Sequence, residues 1–109
     1  MKKIAIVSAK RTPIGKFRGK LSNYTAVELG TKSLEAAMSA INLKPEMIEQ
    51  VIYGNVLQAG NGQNPARQVS INAGVPNTTP AMTINEVCGS GLKSIILGKQ
   101  QIQLGEAKV

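Results

Sequence analysis

Apolar segments rich in β-branched residues alternate along the chain with segments of helical periodicity, and this alternation limits the fold more than any other feature. The strand-like segments are residues 3–9, 50–57 and 81–86. Short apolar runs of this kind are typical of buried parallel strands. A helix-like segment follows each of them, so the order is β-α-β-α-β-α. This order predicts an α/β fold with a mostly parallel sheet and helices on both faces.

The helix-like segments carry start and stop signals of their own. Thr25 and Glu28 have the spacing of a capping box, in which the hydroxyl and the carboxylate each accept a backbone N–H. Asn64 suits a cap, and Pro65 suits the first helical position. The third helix is expected to begin near Cys88. In chain order, the three helices are expected to end at Asn42, Gly74 and Gly105. Each predicted helix therefore has defined limits.

The end of the chain indicates that these elements belong to a larger domain. With 109 residues and 42% hydrophobic content, the chain can bury a core. Residues 107–109 resemble the beginning of another strand, and the sheet would lack this next partner. We therefore expect residues 1–109 to form an incomplete domain.

Residue counts exclude several kinds of function. The chain has no histidine, no aspartate and one cysteine, which argues against a metal site and an internal disulfide framework. The N-terminal apolar run is too short for a signal peptide, and no stretch approaches the roughly 20 apolar residues of a membrane helix. The sequence therefore predicts a cytoplasmic protein without a membrane segment.

The net charge of +7 raises the question of nucleic-acid binding. Residues 10–20 hold five of the thirteen basic residues, but the whole chain has three aromatic residues and no nucleic-acid recognition motif. A solvated basic loop is the favoured interpretation. An anion-attracting surface for phosphorylated ligands is the main alternative, and no nucleic-acid partner is expected.

Cys88 lies where the third strand meets the third helix. A helix N-terminus favours the thiolate, and the unpaired N–H groups of its first turn can stabilise an oxyanion. Gly89 and Gly91 carry no side chains and would let an acyl group approach the sulfur. A buried core thiol remains the alternative, because the residues alone do not decide between the two roles.

The segment around Cys88, Asn-Glu-Val-Cys-Gly-Ser-Gly-Leu-Lys-Ser at 85–94, resembles the nucleophile motif of the thiolases. Residues 11–15, 54–60 and 62–68 resemble other segments of the same family, in the same order and spacing. The resemblance covers essentially the whole chain. The Cys-Gly-Ser-Gly form is similar to that of acetyl-CoA acetyltransferases.

The resemblance implies a thiolase-like fold, with residues 1–109 as a truncated N-terminal domain that lacks the loop domain and the C-terminal domain. It implies condensation of two acetyl-CoA to acetoacetyl-CoA and CoA, and the reverse thiolysis. Cys88 would be the acylated nucleophile, with its own N–H in the oxyanion hole, and Gly89 and Gly91 would bind substrate. No cofactor or metal is implied. A homo-oligomer, dimer or tetramer, is expected, with Gln63 and Arg67 near the subunit contact.

The chain departs from the family pattern in its other catalytic groups. Thiolases also use a histidine and a second cysteine, and this sequence has neither. We therefore expect the 109-residue chain alone to be inactive in turnover. Two alternatives stay open: a ketoacyl synthase or hydroxymethylglutaryl-CoA synthase of the same fold, from which residues 11–15 and 62–68 point away, and a non-catalytic basic binding module.

Overall fold

A computed structural model describes residues 2–109. Three α-helices and two β-strands form in this part of the chain. In chain order they are helix α1 (Ala26–Ala40), a 3-10 turn (Pro45–Met47), strand β1 (Val51–Gly54), helix α2 (Pro65–Asn72), strand β2 (Ala81–Ile84) and helix α3 (Ser90–Leu104).

The two strands pair in parallel, with Val51 opposite Ala81 and Gly54 opposite Ile84. Helix α2 makes the crossover between them, as a parallel pair requires. Alternate residues of β1 face opposite sides of the sheet. Val51 packs into the main apolar core, whose buried members are Met38, Ile48, Val51, Ala73 and Val75. Ile52 lines a cavity with Ser94 and Ile95 of α3, so helices cover both faces. The predicted α/β fold is confirmed.

The prediction of a first strand at residues 3–9 is wrong for the described chain. The segment has no regular secondary structure, and Ile6 and Val7 are 75% and 67% exposed. Residues 6–8 line a cavity of about 330 Å³ together with Val51 and Tyr53 of β1. The described sheet contains β1 and β2, and residues 3–9 pair with neither strand. The Ser8 hydroxyl instead donates to the carbonyl of Ala37 in α1, at 2.8 Å.

The other two strands are shorter than predicted, and residues 107–109 form no strand. After Gly54 the chain leaves the ladder following one further bond, from the Asn55 N–H to the Ile84 carbonyl at 3.0 Å. Near the C-terminus, Ala107 is buried, and the Val109 carbonyl accepts the N–H of Glu49 at 2.9 Å. This contact precedes β1 and does not extend into a ladder.

The predicted helix starts are confirmed. The Thr25 hydroxyl accepts the N–H of Glu28 at 3.1 Å, and the Glu28 carboxylate accepts the N–H of Thr25 at 2.7 Å. Asn64 caps α2 by accepting the N–H of Arg67 at 3.2 Å. Its side chain also accepts the hydroxyl of Thr83 at 2.7 Å, and this bond ties the start of α2 to β2. Among residues 2–109, no helix has the length and apolar character to cross a bilayer.

Candidate active site

A tight turn of residues 85–89 joins β2 to α3 and carries Cys88. Two backbone bonds form the turn: the Gly89 N–H donates to the Glu86 carbonyl at 3.0 Å, and the Ser90 N–H donates to the Val87 carbonyl at 3.1 Å. Cys88 lies between these bonds and is exposed. The cysteine is therefore displayed at the surface, and the buried-core alternative does not apply.

The turn contains an unfavourable backbone conformation directly before the cysteine. Val87 has a φ of 49°, in the left-handed region. That region costs an L-residue about 1–2 kcal/mol and is rarest for β-branched side chains. Asn85 helps to hold it, because its side-chain oxygen accepts the Val87 N–H at 2.9 Å. The side-chain amide of Asn85 also donates to the carbonyl of Val56 at 3.3 Å, which links the turn to the loop after β1.

Ser90 holds the turn from the other side. Its side chain is buried, and its hydroxyl donates to the Val87 carbonyl at 2.6 Å and accepts the Glu86 N–H at 2.8 Å. Gly54 of β1 packs directly on Ser90: a Cβ on this glycine would lie 2.5 Å from the Ser90 carbonyl carbon. Glycine is therefore required at position 54 for the close approach of α3 to the sheet.

The N–H groups of Gly89 and Ser90 donate within the turn, whereas the N–H of Cys88 does not. Gly89 occupies the cap position and provides no side-chain cap. The N–H of Cys88 has no acceptor among residues 2–109. Unsatisfied N–H groups at a helix start, together with the helix dipole, stabilise negative charge close to them. Cys88 thus presents both a thiol and an unpaired backbone N–H to a ligand.

The two glycines after the cysteine differ in their surroundings. A Cβ on Gly89 would lie 3.3 Å from the Glu86 carbonyl oxygen, whereas one on Gly91 would meet nothing within 4 Å. A cavity of about 490 Å³ begins at Gly91, Ser94 and Gly54 and extends to the N-terminal segment near Ser8. This cavity lies between the first turn of α3, β1 and the N-terminal segment, and neither Cys88 nor another residue of the 85–89 turn lines it.

Other predicted residues do not join this site. Arg67 uses its guanidinium to donate to the carbonyls of Thr79 and Asn77, at 3.0 and 2.9 Å, so it supports the loop before β2. In the basic loop, residues 10–20, the Arg18 guanidinium lies 5.4 Å from the centre of the Phe17 ring. Phe17 itself is 93% exposed. The loop is a solvated surface, and its attraction for anions stays a prediction.

Two features of the site were missed in the sequence. The double hydrogen bond of Ser90 gave no signal beyond a serine between two glycines at a helix start. The left-handed Val87 gave none, because valine is not typical of that conformation. Gly54 is a glycine within a strand, a place where another backbone often approaches closely, and here α3 makes that approach.

Tyr53 is the titratable group whose environment the fold changes most clearly. It lies on β1, half-buried against α1, and its hydroxyl donates to the carbonyl of Gly30 at 3.3 Å. Burial raises the pKa of Tyr53 above its usual value of 10.0, and the hydrogen bond with Ser33 opposes this only in part. The phenol is therefore neutral at physiological pH and serves packing.

A parallel α/β chain that presents a cysteine on a strained turn at a helix start has the architecture of enzymes with a thiol nucleophile. Comparison with family models makes the assignment specific: residues 4–109 match the thiolase N-terminal domain. The chain belongs to the thiolase family, as its resemblance predicted.

Relatives in sequence carry names of the same family. The chain is 51% identical over all 109 residues to the acetyl-CoA acetyltransferase of Cupriavidus necator, and spans 28% of that protein. It is also 51% identical over 109 residues to a probable acetyl-CoA acetyltransferase of Escherichia coli K12, again over 28% of that protein. The chain thus corresponds to little more than a quarter of the relatives it matches.

Solved structures confirm the fold. The Acat5 thiolase of Ascaris suum, determined in complex with coenzyme A, matches 93% of the chain and 26% of its own length, with a TM-score of 0.91 and 46% identity. Human mitochondrial 3-ketoacyl-CoA thiolase matches 94% of the chain and 26% of its own length, with a TM-score of 0.90 and 46% identity.

Proposed function

We propose that this chain provides the acyl-accepting part of an acetyl-CoA acetyltransferase, with Cys88 as the nucleophile. The observation that carries the proposal is the place of Cys88: an exposed thiol on a strained turn, beside an N–H without an acceptor, in a chain of the thiolase family. The 51% identity to acetyl-CoA acetyltransferases favours this activity over the synthases of the same fold.

The geometry supports the first half of the reaction. The Cys88 thiol loses its proton to solvent, since the chain has no histidine to accept it. The thiolate attacks the thioester carbonyl of acetyl-CoA and forms a carbon–sulfur bond, and the carbonyl oxygen becomes an oxyanion. The N–H of Cys88 donates to that oxyanion, since stabilisation is strongest where the charge develops. The bond to the CoA sulfur then breaks, CoA leaves as its thiolate, and the acetyl group stays on Cys88. The covalent intermediate divides one difficult step into two easier ones.

The second half needs a base that this chain does not contain. A second acetyl-CoA must lose a proton from its methyl carbon before that carbon attacks the acetyl-cysteine to give acetoacetyl-CoA. The sequence has no histidine and no cysteine besides Cys88 for this proton transfer. The chain is therefore expected to accept an acetyl group and to stop there, without turnover. Gly89 and Gly91 would border the acyl group.

For the whole protein, the assignment implies acetyl-CoA and acetoacetyl-CoA as substrates, no cofactor or metal, a homo-oligomer (dimer or tetramer), and a cytoplasmic location. The support for these statements is the family membership and the relatives named acetyl-CoA acetyltransferase.

Measurement of CoA release tests the proposal. The purified chain is mixed with acetyl-CoA, and free CoA and acetoacetyl-CoA are separated by chromatography. We expect a burst of about one CoA per chain without acetoacetyl-CoA, and no burst from a Cys88→Ala variant. Continuous formation of acetoacetyl-CoA would show that the chain contains the missing base. An equal burst from Cys88→Ala would exclude Cys88 as the acceptor.

A further inference from the structure

Ser90 has a position that its neighbours in α3 do not share. Its side chain is 4% exposed, although Cys88 and Gly89 just before it and Gly91 just after it are exposed. A buried hydroxyl needs hydrogen-bond partners, and Ser90 uses both its donor and its acceptor. The partners are the Val87 carbonyl and the Glu86 N–H, so one hydroxyl bridges two residues of the turn that precede the cysteine.

The contact with β1 fixes Ser90 independently of these bonds. Gly54 lies so close that a Cβ there would be 2.7 Å from the Ser90 Cβ and 2.5 Å from its carbonyl carbon. Such distances leave the serine no freedom to move towards the sheet. Ser90 is therefore held by β1, and its hydroxyl holds the turn to this fixed position.

The turn depends on this bridge because Val87 is strained. Its left-handed backbone is disfavoured for a β-branched residue and persists only where the surroundings impose it. Without the Ser90 hydroxyl, the Glu86 N–H loses its acceptor, and the Val87 carbonyl keeps only the N–H of Ser90. The peptide units on both sides of Val87 could then rotate, and Cys88 would move with them.

We propose that Ser90 is a positioning residue that fixes the thiol and the N–H of Cys88 at the start of α3, through its bridge between Glu86 and Val87. The use of this arrangement in acyl transfer rests on the proposed function. The positioning itself is a property of the folded chain and has its own readout.

Alkylation of Cys88 by iodoacetamide measures the positioning without any CoA substrate. A peptide of residues 83–94 gives the reaction rate of the same thiol without the fold. The helix dipole favours the negative charge that develops when a thiol at the start of α3 attacks, and we expect the chain to react about threefold faster than the peptide or more. In Ser90→Ala this acceleration should fall to less than about half of its size.

Two variants provide matched controls. Ser94→Ala removes a hydroxyl one turn later in α3, which donates to the Gly91 carbonyl at 2.6 Å and does not touch the turn. Thr79→Val removes a buried hydrogen bond to the Ile48 carbonyl at 2.9 Å. Neither residue belongs to the turn that carries Cys88, so this variant controls for a general loss of stability. Both should keep the acceleration. If Ser90→Ala does not fold, as judged by circular dichroism, amide hydrogen exchange of the wild-type chain replaces it: the bond to the Ser90 hydroxyl should protect the Glu86 N–H.

The possible results are decisive. Loss of acceleration in Ser90→Ala alone supports the proposal, as does a protected Glu86 N–H where Ser90→Ala does not fold. Equal acceleration in Ser90→Ala and the wild type overturns it, as does a wild-type chain that reacts no faster than the peptide, or a Glu86 N–H that exchanges as fast as in the peptide. If the alkylation pattern holds but acetyl-CoA releases no CoA, the proposed function fails and the positioning role of Ser90 stands.

Discussion

Substitution of Gly54 by alanine tests the close approach that anchors the site to the sheet. The added Cβ would lie 2.5 Å from the carbonyl carbon of Ser90 and 2.7 Å from both its carbonyl oxygen and its Cβ. Two of these are backbone atoms, so a rotamer change cannot relieve the overlap. Because non-bonded carbon atoms prefer about 3.5–4.0 Å, α3 would have to move away from β1 by roughly 1 Å.

The cost of this movement follows from measurements on overpacked cores. Forced packing of an extra methyl or methylene typically costs about 1–3 kcal/mol, and a backbone contact belongs at the upper end, at about 2–3 kcal/mol. A fall of that size is a large part of the 5–15 kcal/mol that usually stabilises a domain. Urea unfolding followed by circular dichroism measures it. With a slope of about 1–3 kcal/mol per molar urea, the midpoint should fall by about 1 M or more.

Gly98, in the helix α3 that packs on Gly54, supplies the matched control. A Cβ on Gly98 would meet nothing within 4 Å. Alanine there should raise stability by up to about 1 kcal/mol, since it improves helix propensity without an overlap. The reasoning is refuted if Gly54→Ala unfolds at the wild-type urea concentration, or if both substitutions shift the midpoint in the same direction and by the same amount.

Other substitutions test separate parts of the account. The pKa of Tyr53 is raised by burial, so above pH 10 the unfolded chain ionises this phenol before the folded chain does, and the free energy of unfolding falls as pH rises towards the raised value. In Tyr53→Phe, urea midpoints below and above pH 10 should show a smaller fall than in the wild type, and an equal fall would contradict the burial of this phenol. Thr25→Ala removes the cap of α1 and should cost about 1 kcal/mol in urea unfolding; a loss below about 0.3 kcal/mol would contradict the capping box. Asn64→Ala removes bonds to Arg67, Thr83 and Ala81 and places alanine at a left-handed φ of 48°, so it should cost more than Thr25→Ala; a loss no larger than that of Thr25→Ala would contradict a stabilising link to β2.

Local signals in the sequence predicted the helices and the place of the cysteine. The capping box of Thr25 and the Asn64-Pro65 start depend on residues within one turn of each other, so the sequence contains both partners. The strand-to-helix junction at Cys88 was predictable for the same reason, because an apolar strand and a helical segment meet there.

Features that depend on distant partners were not predictable in this way. Residues 3–9 have the composition of a buried strand, yet a ladder needs a neighbour at hydrogen-bond distance, and the segment pairs with neither β1 nor β2. The same limit applies to Ser90 and Gly54. In the sequence they are separated by α2 and β2, and they come into contact only in the folded chain. The strain at Val87 is imposed by these contacts, and valine itself gives no sign of it.

Mapping the acetyl group by mass spectrometry tests the central claim most directly. The folded chain is incubated with acetyl-CoA, quenched in acid and digested, and the modified peptides are compared with those of Cys88→Ala and of the chain unfolded in urea. The account predicts one acetyl group, on the peptide that contains Cys88, gained faster by the folded chain than by the unfolded one. Acetyl groups on lysines with Cys88 unmodified, or equal rates in the folded and unfolded chains, would contradict it.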